Sequence, residues 1–338
     1  MSLRKEGDGQ DEAGYLRAHA GAIEEARRRI AGHVLRTPLL TTDMDPLLLL
    51  KAECFQVTGS FKARGAFNAV LALRQATPAA RGVIAVSSGN HAQAVALAAR
   101  SVGLEAVMLI PEGANPAKVE ATRRLGAEVI QEGVTFENRE ARARKVVAER
   151  GLHLVHPFDD WDVIHGAASA ASEVLEDAPR EVAVIATPVG GGGLLSGTAL
   201  AARALAGRVR VVGVEPERAD DAARTLRERS IQTLPGSPDT IADGVRVVRI
   251  GERNFDVMVE RGLVDDIVTV SEEEIEEAVR VAWSRLKLAL EPTGALPLAA
   301  HLAGKIRGPR DDGLTALILT GGNFDPATVA RILGPGSP

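Results

Sequence analysis

The sequence predicts an α/β protein of two lobes, each a parallel-type sheet flanked by helices. Three observations carry that prediction. Short apolar runs alternate with helical patterns from Gly82 onward, glycines stand where helices should give way to strands, and 338 residues suffice for two cores.

The first set of elements opens with Val83–Ser87 (VIAVS) as strand. HAQAVALAARSVG follows as helix, its alanines and leucine recurring at helical spacing. EAVMLIP, a helix around Ala117–Leu125, AEVIQ, a charged helix through Arg139–Arg150 and LHLVHP continue the alternation. Gly103, Gly126 and Gly151 stand at the three helix ends. A second set begins at Val182 with VAVIATP, GGGGLLSGTALAARALAG, VRVVGVEPE and IVTV. A long helix then reads through SEEEIEEAVRVAWSRLKLAL. Ser271 and Glu274 form its capping box, and the acids of its first turn suit the helix dipole. Another helix opens at TGALPLAAHLAG, and ALILTGGN closes the series. The smaller lobe is expected over 77–157 and the larger over 1–76 with 158–338, with a cleft between them. About the first dozen residues, MSLRKEGDGQDE, read as a flexible arm.

Composition narrows the function. Residues are 45% hydrophobic and 25% charged but only 3% aromatic, so the core must be built from Ala, Val, Leu and Ile. A net charge of −5 with interspersed Lys and Arg argues against nucleic-acid or membrane partners. The single Cys54 forms no internal disulfide, the N-terminus lacks a signal-peptide core, and no apolar run spans a bilayer. The expected location is cytoplasmic. H-E-x-x-H and C-x-x-C spacings are absent, which argues against a catalytic zinc.

Four stretches carry chemistry. PVGGGGLLSG at 188–197 lies between a strand and a helix, where four glycines let backbone N–H groups approach an anion, as for a phosphate. It has neither the Walker Lys-Ser/Thr pair nor a G-x-G-x-x-G register, although Glu215 at the end of the next strand imitates a ribose-binding acid. A nicotinamide-dependent oxidoreductase is therefore the rival from another class. Ser87, Ser88, Gly89, Asn90 and His91 form a strand-to-helix turn suited to a carboxylate, or simply to an N-cap. LTGGN at 319–323 closes a strand with a hydroxyl and glycines. TGSFKARGA at 58–66 hems Lys62 between Phe61 and small residues. A lysine beside phosphate-binding groups suggests a Schiff base with pyridoxal phosphate.

Eight ordered motifs between about Ala22 and Val329 carry a family resemblance: TGSFKARGA, SSGNHAQA, PVGGGGLLSG, VVGVEPE, TIADGV, LVDDIVTVSEEEI, EPTGA and LTGGN. Together they resemble the fold-type II pyridoxal-phosphate enzymes, in the branch of threonine dehydratases and serine racemases. The resemblance implies a tryptophan synthase β-like fold in which Lys62 forms the Schiff base and Phe61 packs on the cofactor ring. Asn90 would bond the ring hydroxyl. Gly190, Gly191, Gly192, Gly193 and Leu194 would hold the phosphate, and Thr320 would face the pyridine nitrogen. A neutral hydroxyl there makes the ring a weaker electron sink, so loss of a β-hydroxyl is favoured once Lys62 removes the α-proton. The products would be a 2-oxo acid and ammonia.

Within that branch, Ser88 occupies the position of the racemases' opposite-face proton donor. VEPERADDA resembles their divalent-cation site, implying Glu215, the Ala219 carbonyl and Asp221 as ligands for Mg²⁺ or Ca²⁺. Phe136 stands where serine racemase has an arginine near the substrate, and Val247 replaces a substrate-side serine. An apolar wall at Phe136 suits a threonine methyl. The expected activity is therefore a threonine/serine ammonia-lyase acting on a small hydroxy amino acid. Racemisation is the alternative, and an inactive cofactor-binding protein a further one. Hydroxyaspartate dehydratases share the SSGNH pattern, but no cation stands out for a second carboxylate. His165 and Ala168 depart from the family's IAGQGT pattern, and the segment between Pro38 and Lys51 is short. The chain stops soon after LTGGN, so the C-terminal regulatory domain and isoleucine feedback are not expected. A homodimer or homotetramer is.

Overall fold

The computed structural model describes residues 8–306 and 313–334. Its strands, in chain order, are β1 (Leu39–Thr41), β2 (Leu48–Ala52), β3 (Gly82–Val86), β4 (Glu105–Leu109), β5 (Glu128–Ile130) and β6 (His153–Leu154). β7 (Val182–Pro188), β8 (Arg210–Pro216), β9 (Asp266–Val270) and β10 (Leu314–Leu319) complete the set. They form two sheets, one ordered β1-β2-β10-β7-β8-β9 and the other β5-β4-β3-β6. Every pairing is parallel except β1 with β2.

Parallel strands covered on both faces read as unbroken apolar runs, and VAVIATP is buried at all seven positions. The helices that cover the sheets include α1 (Asp8–Ile30), α2 (Lys62–Ala76), α3 (Asn90–Ser101), α4 (Pro116–Arg124), α5 (Arg139–Arg150), α6 (Trp161–Asp177), α7 (Gly193–Leu205) and α8 (Asp221–Glu228). α1, α6 and α7 cover one face of the larger sheet, while the helices Glu272–Val281 and Pro292–Leu302 cover the other. The predicted glycine stops hold: Gly103, Gly126 and Gly151 all have positive φ. The Ser271–Glu274 capping box is formed on both sides.

Helix α2 joins the two cores. It buries Ala63, Ala66, Phe67 and Val70 with α3 and the four-stranded sheet. Its other side meets α6 so closely that a Cβ on Gly65 would stand 2.7 Å from the Val163 carbonyl oxygen. Four fully or nearly buried charges lock this region. The Arg64 guanidinium donates to Glu53 and Glu173, while Lys51 Nζ donates to Glu173 Oε2 at 2.6 Å and to the Thr37 carbonyl at 2.7 Å. Two cations and two anions balance, as burial requires.

Two expectations change. The arm reading of about residues 1–12 fails from Asp8, where α1 already begins, and residues 1–7 lie outside the described residues. α1 docks because Tyr15 donates to Asp256 and its His19 Nδ1 meets His165 Nε2 at 2.8 Å. The helix expected through Leu290 ends at Leu286. Lys287 turns left-handed (φ 58°), and Leu288 and Leu290 enter the core in non-helical backbone. Among the described residues no helix is long and apolar enough to cross a membrane.

Candidate active site

The motifs converge where the two sheets meet. Phe61 N–H donates to the Thr320 carbonyl at 3.0 Å, Ser60 bridges Gly321, and Gly322 N–H donates to Gly59 at 3.0 Å. TGSFKARGA and LTGGN are therefore neighbours. Lys62 begins α2, with its Nζ 5.1 Å from the Phe61 ring centroid and donating to the Pro157 carbonyl at 2.8 Å. No carboxylate shifts its titration. Burial alone lowers the ammonium to about 8, within reach of the neutral, nucleophilic form.

The glycine turn follows β7 and opens α7. Gly192 has φ +96°, and a Cβ on Gly191 would stand 2.1 Å from the Phe158 ring, so close packing accounts for part of the glycine content. Among the described residues, none of the N–H groups from Gly190 to Leu194 is taken by a backbone carbonyl. Thr320 Oγ1 is buried without a partner. Free N–H donors, an unpaired hydroxyl and a lysine of lowered pKa fit a phosphate, a ring nitrogen and an aldehyde.

On the smaller sheet, β3 runs into the Ser87–His91 turn. Ser87 Oγ accepts the Gly89 N–H at 3.2 Å, and no side chain caps α3. The first N–H groups of the helix thus remain available for a carboxylate. Ser88 is half-buried. His91 lies inside the fold rather than in the turn's opening, its Nε2 3.0 Å from the Val155 carbonyl. Burial and nearby Lys62 push its imidazole down to about 3, so it is neutral. The Asn90 amide donates to Glu291 Oε1 at 2.7 Å and accepts from Asn323 at 2.9 Å.

Glu291 escaped the sequence reading, although EPTGA contains it. It is buried, and desolvation, aided by Asp243, raises its carboxyl to about 8. Asp243 is also paired with Lys118 of α4, linking the flanks of the two sheets. Cys54 is part-buried, and burial pushes its thiol up to about 11, far from a reactive thiolate.

The expected cation ligands are brought together apart from this cluster. Glu215 ends β8, Ala219 lies in the next turn and Asp221 begins α8, all three buried. Among the described residues no group of three or more His, Cys, Asp or Glu side chains could hold a metal, and Asp220 lies within electrostatic reach of both acids. Burial, with the two acids repelling each other, raises Glu215 well above the carboxylate range. Burial, followed by Asp220, raises Asp221 to about 7. Asp221 Oδ2 is buried without a partner, so the pair fits a cation.

This arrangement defines a pyridoxal-phosphate enzyme built on two sheets, parallel except at β1. A family model described as "pyridoxal-phosphate dependent enzyme" matches residues 30–321, and the chain belongs to that family. A serine racemase of Oryza sativa subsp. indica is 42% identical over 94% of each chain. An L-threo-3-hydroxyaspartate ammonia-lyase of Saccharomyces cerevisiae is 41% identical over 93% of this chain and 95% of its own. The solved structure of a threonine deaminase from T.th. has a TM-score of 0.84 and 49% identity, over 90% of this chain and 98% of that one. The chain thus falls in the fold-type II branch of threonine dehydratases and serine racemases.

Proposed function

We propose that the protein is a threonine/serine ammonia-lyase, converting L-threonine or L-serine to a 2-oxo acid and ammonia. The observation that carries this reading is Lys62, a buried lysine of lowered pKa beside free phosphate-type donors and the unpaired Thr320 hydroxyl. Bound pyridoxal phosphate withdraws electrons from the substrate α-carbon. The protein supplies the rest. Lys62 Nζ takes the α-proton, and its depressed pKa keeps a neutral amine population near neutral pH. The N–H groups of Gly190 to Leu194 would hold the phosphate, and Phe61 would back the ring. Asn90, fixed by Glu291 and Asn323, would bond the ring hydroxyl. The Ser87–Asn90 turn holds the substrate carboxylate, with His91 as its neutral support against Val155. Phe136 forms an apolar wall of the cleft. Glu215, the Ala219 carbonyl and Asp221 would hold Mg²⁺ or Ca²⁺. The chain works as two lobes, 1–76 with 158–338 and 77–157, α2 being the element they share.

Racemisation is the second reading, favoured by Ser88, a half-buried hydroxyl on the same turn. Incubation of the holoenzyme with a panel of L-amino acids, following 2-oxo acid and D-isomer together, separates the readings. Oxo-acid release from L-threonine and L-serine is expected. D-serine formed by the wild type but not by Ser88→Ala makes Ser88 the opposite-face acid. Colour without turnover of any hydroxy amino acid contradicts both activities.

A further inference from the structure

Asn254 lies outside all eight sequence motifs, fully buried in the short helix Glu252–Phe255. Its Nδ2 donates to two carbonyls, that of Gly191 at 2.9 Å and that of Phe158 at 3.1 Å. The Gly191 carbonyl also accepts the Gly251 N–H at 3.1 Å. Both carbonyls can only accept, which fixes the amide this way round. On its other side, Oδ1 is buried without a partner. A stranded buried oxygen costs stability. Packing alone would be served by an apolar side chain, so the amide is explained by its two N–H bonds.

Those bonds act on the glycine turn through the geometry of one peptide. A trans peptide is planar, so the Gly191 carbonyl and the Gly192 N–H point in opposite directions. With the carbonyl drawn toward Asn254 and Gly251, the Gly192 N–H is aimed the other way. Among the described residues no backbone carbonyl takes it. Glycine on both sides of that peptide removes the steric bar to rotating it by half a turn. The turn thus needs a bond from outside to keep its donor facing out. The second carbonyl ties the turn to Lys62. Phe158 follows Pro157, whose carbonyl accepts Lys62 Nζ at 2.8 Å. The next carboxylate, Asp159, accepts the N–H groups of Glu252 and Arg253 at 3.2 and 3.0 Å. Three successive residues therefore hold the lysine, the amide and the helix that carries the amide.

We propose that Asn254 is a positioning residue: it locks the Gly191–Gly192 peptide with its N–H toward the cofactor phosphate and sets the spacing between that anchor and Lys62. This rests on the phosphate role proposed above for the glycine turn, and it names the side chain that holds the turn in place. A half-turn of the peptide would present a carbonyl oxygen where a donor is needed, a dipole of the wrong sign for an anion. Asn254 acts through the turn and not on the reacting atoms.

Pyridoxal phosphate and pyridoxal share the ring and the aldehyde and differ by the phosphate. The ratio of their Kd values for the full chain freed of cofactor isolates the phosphate anchor. The wild type is expected to prefer the phosphorylated form. Asn254→Ala should cut that preference about tenfold while the Kd for pyridoxal stays within about twofold. Asn254→Ser, which keeps one donor, should cut it about threefold, and this milder variant decides alone if Asn254→Ala does not fold. Equal weakening of both ligands, as from a merely loosened fold, overturns the proposal. A wild type that prefers the phosphate, with variants that match it, removes Asn254 and leaves the phosphate turn standing. No preference in the wild type refutes the turn itself, and the proposal with it.

Discussion

At the residue scale, Lys62 and Glu291 are opposite cases of one cause, burial of an ionisable group without an opposite charge in contact. The lysine loses its proton more easily and the acid holds its own more tightly. The linkage for Glu291 has a definite sign. In the folded apo-protein its carboxyl keeps a proton to about pH 8, whereas in the unfolded chain it is released near 4.5. Between those values the folded state binds more protons, so stability falls as pH rises. In the apo-protein, the Tm of the wild type relative to that of Glu291→Gln should therefore decline from pH 5 to pH 8. Equal slopes in the two proteins would contradict the assignment. Lys62 and Phe61 were legible because their motif is local and flanked by small residues. Glu291 was not, because its significance comes from Asn90, 201 positions away. The stacking of Arg139 on Phe136, with its guanidinium carbon 3.5 Å from the ring centroid, was missed for a related reason. Residues three apart in a turn meet only when the backbone bends appropriately.

Among the elements, the strand–helix alternation from Gly82 onward was readable, as were the glycine stops and the capping box. Helix α1 was not, because its polar start looks like an arm and its docking depends on Asp256 and His165 far along the chain. That contact gives His165 a place: it departs from the family pattern and meets His19 of α1. The ion set of Lys51, Glu53, Arg64 and Glu173 was equally invisible, since it joins β2, α2 and α6. An unpaired charge left there costs about 3–5 kcal/mol, so the four groups act as a set that fixes the start of α2. The β8–α8 turn makes its own prediction. A cation bound only by the folded form raises the Tm by mass action. Millimolar Mg²⁺ or Ca²⁺ should therefore raise the Tm of chelator-treated protein, and the double variant Glu215→Gln/Asp221→Asn should lose the response. An identical response in both proteins would place any cation elsewhere.

For the whole molecule, the order of strands in each sheet is what assembles the site. β10 lies between β2 and β7, which brings LTGGN against TGSFKARGA and within one strand of the glycine turn. β3 lies between β4 and β6, which sets the Ser87–His91 turn against Val155 and the following Pro157, whose carbonyl receives Lys62. Crossovers of this kind leave little trace in a single sequence, so the motifs were readable one by one while their arrangement was not. The Lys118–Asp243 pair then joins α4 to the turn next to Glu291, tying the two sides of the cleft together. The central claim is that this assembly exists to present one lysine to pyridoxal phosphate. Borohydride reduction of the holoenzyme, digestion and mass mapping of the pyridoxyl label test it most directly. The label is expected on the peptide containing Lys62 and nowhere else; a label on another lysine, or none on a protein that has bound the cofactor, would contradict the account.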